Sequence, residues 1–331
     1  MNETNSTSFL QKLFFRPEFG PFVLVLAETI VFTVLSAGQF ISAGNISNVL
    51  AFVPELGMIA LAMTLLMIAG EFDLSVGSMF GLAPVLMWTL SNEGIVSLEL
   101  GFLFAIIIAV LIGFVNGWFV TQLKIPSFLV TLGMLLVVRG SALYITSGFP
   151  QRTWAAESPL MGLIVGDFRI GQIRIYASLL WFIFFALLLG YILSQTKVGN
   201  WLQATGGNPY AARARGVNVA GTKIALFILT AVMSAYAGIT SSIRVSAANP
   251  NSGEGYELEV IAMVVIGGTA LMGGRGTILG TVLGVFILRL MRNGINFTNV
   301  PALAYNIFIG AIILGMMAIH SYLERRHNEG I

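Results

Sequence analysis

The chain has 331 residues, of which 56% are hydrophobic and 10% charged, against about 25% charged residues in a soluble domain. It therefore lacks the charge to cover a water-facing surface, which excludes a soluble enzyme, and its hydrophobicity excludes intrinsic disorder. A net charge of +2, no Cys, and two His at His320 and His327 give no case for nucleic-acid binding and leave no disulfide, thiolate metal site or histidine-rich centre inside the chain.

A helix crossing about 30 Å of hydrocarbon takes about 20 apolar residues, and lipid leaves the helix as the expected spanning element. Apolar runs at 20–38, 48–70, 76–92, 100–121, 126–146, 175–194, 222–245, 257–273, 277–293 and 301–320 predict an all-α polytopic membrane protein of about ten transmembrane helices, several broken or re-entrant. Residues 1–18 and 321–331 are expected as tails flanking a transmembrane domain over 19–320. Lys12 and Arg16 precede the first run, but a cleavable signal has an apolar core of about 7–15 residues; Phe19 to Gly38 is longer and reads as an uncleaved helix. With both tails cytoplasmic, ten of the 17 basic residues fall inside, the side where Lys and Arg accumulate.

The second and third runs are separated by Gly70-Glu71-Phe72-Asp73-Leu74-Ser75-Val76-Gly77-Ser78. Carboxylates, hydroxyls and glycines in a broken helix suit a polar solute path or a hinge; the other reading is a surface turn with Asp73 or Ser75 capping the next helix. Asn116 falls in the fourth run, and Thr131 and Arg139 in the fifth. Such polar groups serve either as interhelical hydrogen-bond partners or as a solute path. The external loop 147–174, with Phe168 to Arg174 alternating, is expected to form a short amphipathic strand or a surface helix.

Residues 195–221 form the largest polar insertion and are expected in the cytoplasm. Within it Asn208 is placed as an N-cap, Pro209 as a first-turn residue and Gly216 as a stop, around Ala211, Ala212, Arg213 and Arg215, which predicts a short surface helix. An ordinary basic loop is the alternative. A second Gly-rich stretch, Ile266 to Thr277, predicts a sharp turn between half-spans. Leu61-Ala62-Met63 before Gly70 parallels Ile261-Ala262-Met263 before Gly267, a hint of internal duplication of the kind transporters carry. No Gly-x-x-x-x-Gly-Lys-Ser/Thr loop occurs, so any ATP hydrolysis belongs to another chain.

These segments together resemble the membrane permeases of monosaccharide ABC importers, the ribose-type permeases. The matching residues are Asp73 to Ser78, Ile125-Pro126-Ser127-Phe128 through Thr131-Leu132-Gly133-Met134 to Arg139-Gly140, and Gly207-Asn208 with Ala211-Ala212-Arg213 and Gly216-Val217-Asn218. Further along come Gly255 to Leu258, Ile266 to Thr269, Gly273 to Gly276, Gly280-Thr281 and Asn293-Gly294. The family pattern has Gly-Gly-Ile before the aspartate where this chain has Gly70-Glu71-Phe72; the added carboxylate and ring bear on solute choice.

The resemblance implies a permease without chemistry of its own in the bacterial inner membrane. It implies a cytoplasmic ATPase that uses the ATP, a periplasmic or tethered sugar-binding protein and a second permease subunit, with no cofactor in this chain. It implies a coupling role for Asn208, Pro209, Ala211, Ala212, Arg213 and Gly216, and a pathway or gate role for Glu71, Asp73, Ser75, Asn116, Ser127, Phe128 and Thr131. An ion-coupled secondary transporter is the alternative function.

Overall fold

The computed structural model describes residues 18–152 and 158–301 except 299, together with 304, 305, 307, 308, 310, 311, 314 and 315. The expected tails, Glu18 apart, and most of the run 301–320 lie outside the described residues. Helix α1 covers Phe19–Leu35, and after a 3-10 turn at Gln39–Ile41 comes α2, Ala43–Ile68, whose N-cap Ser42 accepts from the backbone N–H of Asn45. Pro54 inside α2 removes one backbone donor. The helix continues through it because packing encloses it: every residue from Val53 to Ile68 is buried.

Next come α3, Val76–Asn92, α4, Leu98–Gln122, capped by Ser97, and α5, Ser127–Thr146, started by Pro126. The 147–174 loop contains both an extended element and a helix: β1, Gln151–Arg152, then α6, Pro159–Val165, then a hairpin of β2, Asp167–Ile170, and β3, Ile173–Tyr176. Arg174 and Asp167 close the hairpin with an ion pair of 2.7 Å. Helix α7 covers Ala177–Gln195, α8 Lys197–Gly207, α9 Pro209–Ala214 and α10 Val219–Val245. Strand β4, Ala247–Ala248, pairs antiparallel with β1. Two more helices follow, α11 at Tyr256–Ile266 and α12 at Ile278–Ile295. Among the described residues the all-helical expectation is thus amended by two small two-stranded sheets.

Among the described residues six helices, α2, α4, α5, α7, α10 and α12, are long and apolar enough to cross a membrane. The runs 20–38, 76–92 and 257–273 give shorter helices, α1 having 17 residues like α3, so about ten spans are not confirmed. Helix α3 has 17 residues and α11 has 11, or about 25 and 16 Å at about 1.5 Å per residue. The reason is plain at 257–273. An apolar Gly-rich turn prolongs a hydrophobic run without prolonging the helix, and α11 ends at Ile266.

Helix α2 is central: 89% of its most apolar stretch is buried, against 17% for α5 and 28% for α4 and α7. The exposed apolar flanks of the last three suit lipid or another transmembrane subunit. Helix α10 packs against α2, α3 and α4. It approaches α3 so closely that a Cβ on Gly238 would collide with the Phe80 carbonyl. The molecule has two poles. One carries α8, α9 and the breaks after α2 and α11; the other carries the two small sheets and the end of α12, where Asn45 and Asn293 exchange amide hydrogen bonds of 2.8 and 2.9 Å.

Candidate functional site

At the first pole, the side chain of Asn208 caps α9, its Oδ1 accepting from the backbone N–H groups of Tyr210 at 3.1 Å and Ala211 at 3.0 Å. Pro209 occupies the first helical position, where its missing N–H costs nothing. Gly216, at φ +85°, reverses the chain, and the N–H of Val217 closes onto the Ala212 carbonyl. The outward face is Tyr210, 80% exposed, with Ala211, Arg213, Ala214 and Arg215. Ala212 does not belong to it: at 3% exposure it faces inward. The small outer surface of the helix is thus Ala211 and Ala214, because a six-residue helix must turn one side to its support.

That support is a junction of backbones. The N–H of Gly274 donates to the carbonyl of Ile68 at 2.8 Å. A Cβ on Gly206, near the end of α8, would collide with the same carbonyl and lie 2.6 Å from the Gly274 nitrogen. Gly273, at φ +84°, has space for no side chain, since a Cβ there would lie 3.0 Å from the Gly70 backbone and 3.2 Å from Gly206. The end of α2, the turn between α11 and α12, and the α8 end that carries α9 therefore meet main chain to main chain at Gly70, Gly206, Gly273 and Gly274. Main-chain contact without intervening side chains leaves little slack for one segment to move independently.

The break between α2 and α3 rises from this junction. Glu71 accepts from Lys223 Nζ of α10 at 2.5 Å, both side chains being 15% exposed. The pair lines a cavity of about 330 Å³ that also takes in Lys124, Pro126, Pro209, Tyr210 and Arg213. Glu71 is thus placed beside α9. Asp73 is fully buried and accepts from the backbone N–H of Ser75 at 2.8 Å, from Ser75 Oγ at 2.6 Å and from Thr230 Oγ1 at 3.1 Å. Asn116 Nδ2 donates to Ser75 Oγ at 3.0 Å. Asp73, Ser75 and Asn116 are therefore one network that fastens the break to α4 and α10.

The other candidates lie apart from that network. Ser127 and Thr131 sit on the buried stripe of α5, where Thr131 Oγ1 donates to the Ser127 carbonyl at 2.8 Å. Phe128 is 48% exposed on the outer flank of the same helix. The structure thus brings three of the seven candidate pathway residues together and sets Glu71, Ser127, Phe128 and Thr131 elsewhere.

Sequence reasoning did not pair Glu71 with Lys223, nor Glu55 with Arg244. The latter ion pair is buried, with the guanidinium of Arg244 3.9 Å from the centre of the Phe52 ring. Arg139 crosses from α5 to hold three carbonyls, those of Gly77, Pro250 and Ser252. It ties the start of α3 to the chain leading into α11. Among the described residues no group of His, Asp or Glu side chains is arranged to hold a metal ion.

The family model for "Branched-chain amino acid transport system / permease component" matches residues 45–317. The xylose transport system permease protein of Escherichia coli (strain K12) is 33% identical over 91% of this chain and 91% of its own length. The ribose import permease protein of the same strain is 34% identical, covering 83% of this chain and 85% of the relative. The fructose import permease protein of Rhizobium meliloti is 29% identical over 93% of this chain and 86% of its own. No solved structure matches.

Proposed function

The chain belongs to the family of branched-chain amino acid transport system permease components, and we propose that its cargo is a monosaccharide or a similar polyhydroxylated solute. As a permease component it is a multi-pass membrane transport subunit and not an enzyme. The observation that carries the sugar reading is similarity along most of the chain to permeases named for xylose, ribose and fructose. In this reading the pole with α9 faces the cytoplasm of a bacterial cell, as do both termini, and the pole with the sheets faces outward. A cytoplasmic ABC ATPase consumes the ATP, a periplasmic or tethered sugar-binding protein delivers the solute, and a second permease subunit completes the pathway.

Within the permease domain, 19–320, the segment 195–221 is the coupling element. A permease that holds no nucleotide must receive work through a contact, and α9 offers a capped, exposed helix on a stiff base. Displacement of α9 reaches Gly206, and through Gly206 the ends of both broken helices at once. Glu71 with Lys223 borders the cavity beneath α9, and the Asp73 network holds the break at depth, so Glu71 and Asp73 act as parts of a gate rather than as solute ligands. Ser127 and Thr131 then belong to the packed wall of α5, and Phe128 to its outer flank.

Tyr210 is the strongest anchor on the α9 face, since the few residues that dominate an interface, at about 2 kcal/mol or more each, are enriched in Tyr and Trp. Arg213 and Arg215 are rim charges worth about 0–1 kcal/mol. Tyr210→Ala is therefore expected to weaken ATPase assembly by about thirtyfold, and Ala211→Trp to block it, with Arg215→Gln mild by comparison. Co-purification with the ATPase and sugar-stimulated ATP hydrolysis read this out. Full assembly of both Tyr210→Ala and Ala211→Trp would move the docking contact to the turn at Lys124–Ser127.

A further inference from the structure

We propose that the cavity at the outer ends of α2, α11 and α12 binds a carboxylate-bearing monosaccharide, a sugar acid rather than a neutral sugar. The cavity holds about 250 Å³ and is walled by Asn48, Phe52, Tyr256, Arg289, Arg292 and Asn296. That is at the small end for ligand pockets, with room for one sugar ring.

The charges around it do not balance. Among the described residues three guanidiniums, those of Arg244, Arg289 and Arg292, face two carboxylates, Glu55 and Glu259. Glu55 is bonded by Arg244. Glu259 accepts from Arg292 at 3.4 Å and from the Tyr305 hydroxyl at 2.8 Å. Arg289 is left over. It is 6% exposed, and its Nε and Nη2 are buried without a hydrogen-bond partner among the described residues.

A buried guanidinium with unmet donors is costly. The two unmet nitrogens are the side of the fork that a carboxylate engages with two parallel hydrogen bonds. A neutral sugar could accept those hydrogen bonds but would leave the extra positive charge. A lone inorganic anion would meet the charge but leave the rest of the wall unused. The rings of Phe52 and Tyr256 offer flat apolar surface to the C–H faces of a sugar, and Asn48 and Asn296 bring amide groups for its hydroxyls.

The inference rests on the import reading for the solute's size and class. Its test does not require transport. The full chain in lipid nanodiscs, without ATPase or binding protein, is titrated calorimetrically with glucuronate, glucose and acetate at matched ionic strength. Glucuronate is expected to bind saturably and at least tenfold more tightly than either glucose or acetate.

Arg289→Gln should remove that preference. Asn48→Asp, at an exposed position on the wall of the same cavity, should also weaken glucuronate binding by setting a negative charge against the ligand's carboxylate, and it keeps the proposal testable if Arg289→Gln does not fold. Equal binding of glucose and glucuronate, equal binding of acetate, no binding of glucuronate, or undiminished binding by Asn48→Asp would each overturn the proposal. Any of these results leaves the import reading standing, whereas absence of ATP-driven uptake in a reconstituted transporter would overturn the import reading and leave the binding result intact.

Discussion

Gly206→Val is expected to uncouple the permease from its ATPase and to destabilise it. The new side chain would meet the Ile68 carbonyl and the Gly274 nitrogen, two backbone groups that cannot yield as a flexible side chain would. Forcing extra carbons into a packed site costs about 1–3 kcal/mol. Separating Gly274 N–H from Ile68 adds about 1–3 kcal/mol for the carbonyl of the buried Ile68 left unpaired. The neighbouring Gly207 provides the control, because nothing lies within 4 Å of a Cβ placed there. Gly207→Ala should keep both melting temperature and sugar-stimulated ATP hydrolysis, while Gly206→Val lowers both. A Gly206→Val protein that melts and couples like the parent would show that the junction does not link α9 to the broken helices.

Asp73→Ala is expected to be the most damaging substitution in the break. It strands the backbone N–H and the hydroxyl of Ser75 in a fully buried position, while the Thr230 hydroxyl keeps the Phe227 carbonyl at 2.9 Å. At about 1–3 kcal/mol for each of the two stranded groups, the loss is on the order of 2–6 kcal/mol, a large part of a typical folding stability of about 5–15 kcal/mol. Asp73→Asn retains an acceptor oxygen and the side-chain volume. It should therefore remain in the membrane with reduced uptake, while Asp73→Ala is depleted from the membrane fraction. Membrane yield, thermal melting and uptake separate the two. Parental yield and uptake for Asp73→Ala would mean that the break is held by something other than this carboxylate.

What the sequence made legible was local. Asn208, Pro209 and Gly216 mark α9 because capping and chain reversal depend on the residues that perform them. The glycines around 70 and 273 mark the two breaks for the same reason. What it hid was set by packing between distant helices. Glu55 and Arg244 are 189 positions apart, and Glu71 and Lys223 are 152 apart; no periodicity within one helix could pair them. The meeting of Gly70, Gly206 and Gly273 is hidden likewise, although the parallel between 61–63 and 261–263 hinted that the two breaks correspond. In α9, six residues carry no apolar stripe long enough to reveal that Ala212 faces inward and Ala211 outward. The extent of α11 was obscured because hydropathy reads Met263 and the Gly-rich turn after it as one run.

The central claim is that this chain is a passive pathway driven through α9. The most direct measurement is uptake of labelled monosaccharide into proteoliposomes. One set contains the chain with its ATPase and sugar-binding protein, with ATP on the side of α9; the other contains the chain alone under a proton or sodium gradient. Accumulation in the first set, dependent on ATP and absent with Tyr210→Ala, is the predicted result. Accumulation in the second set, with the chain alone and an ion gradient, would contradict the account and identify an ion-coupled transporter.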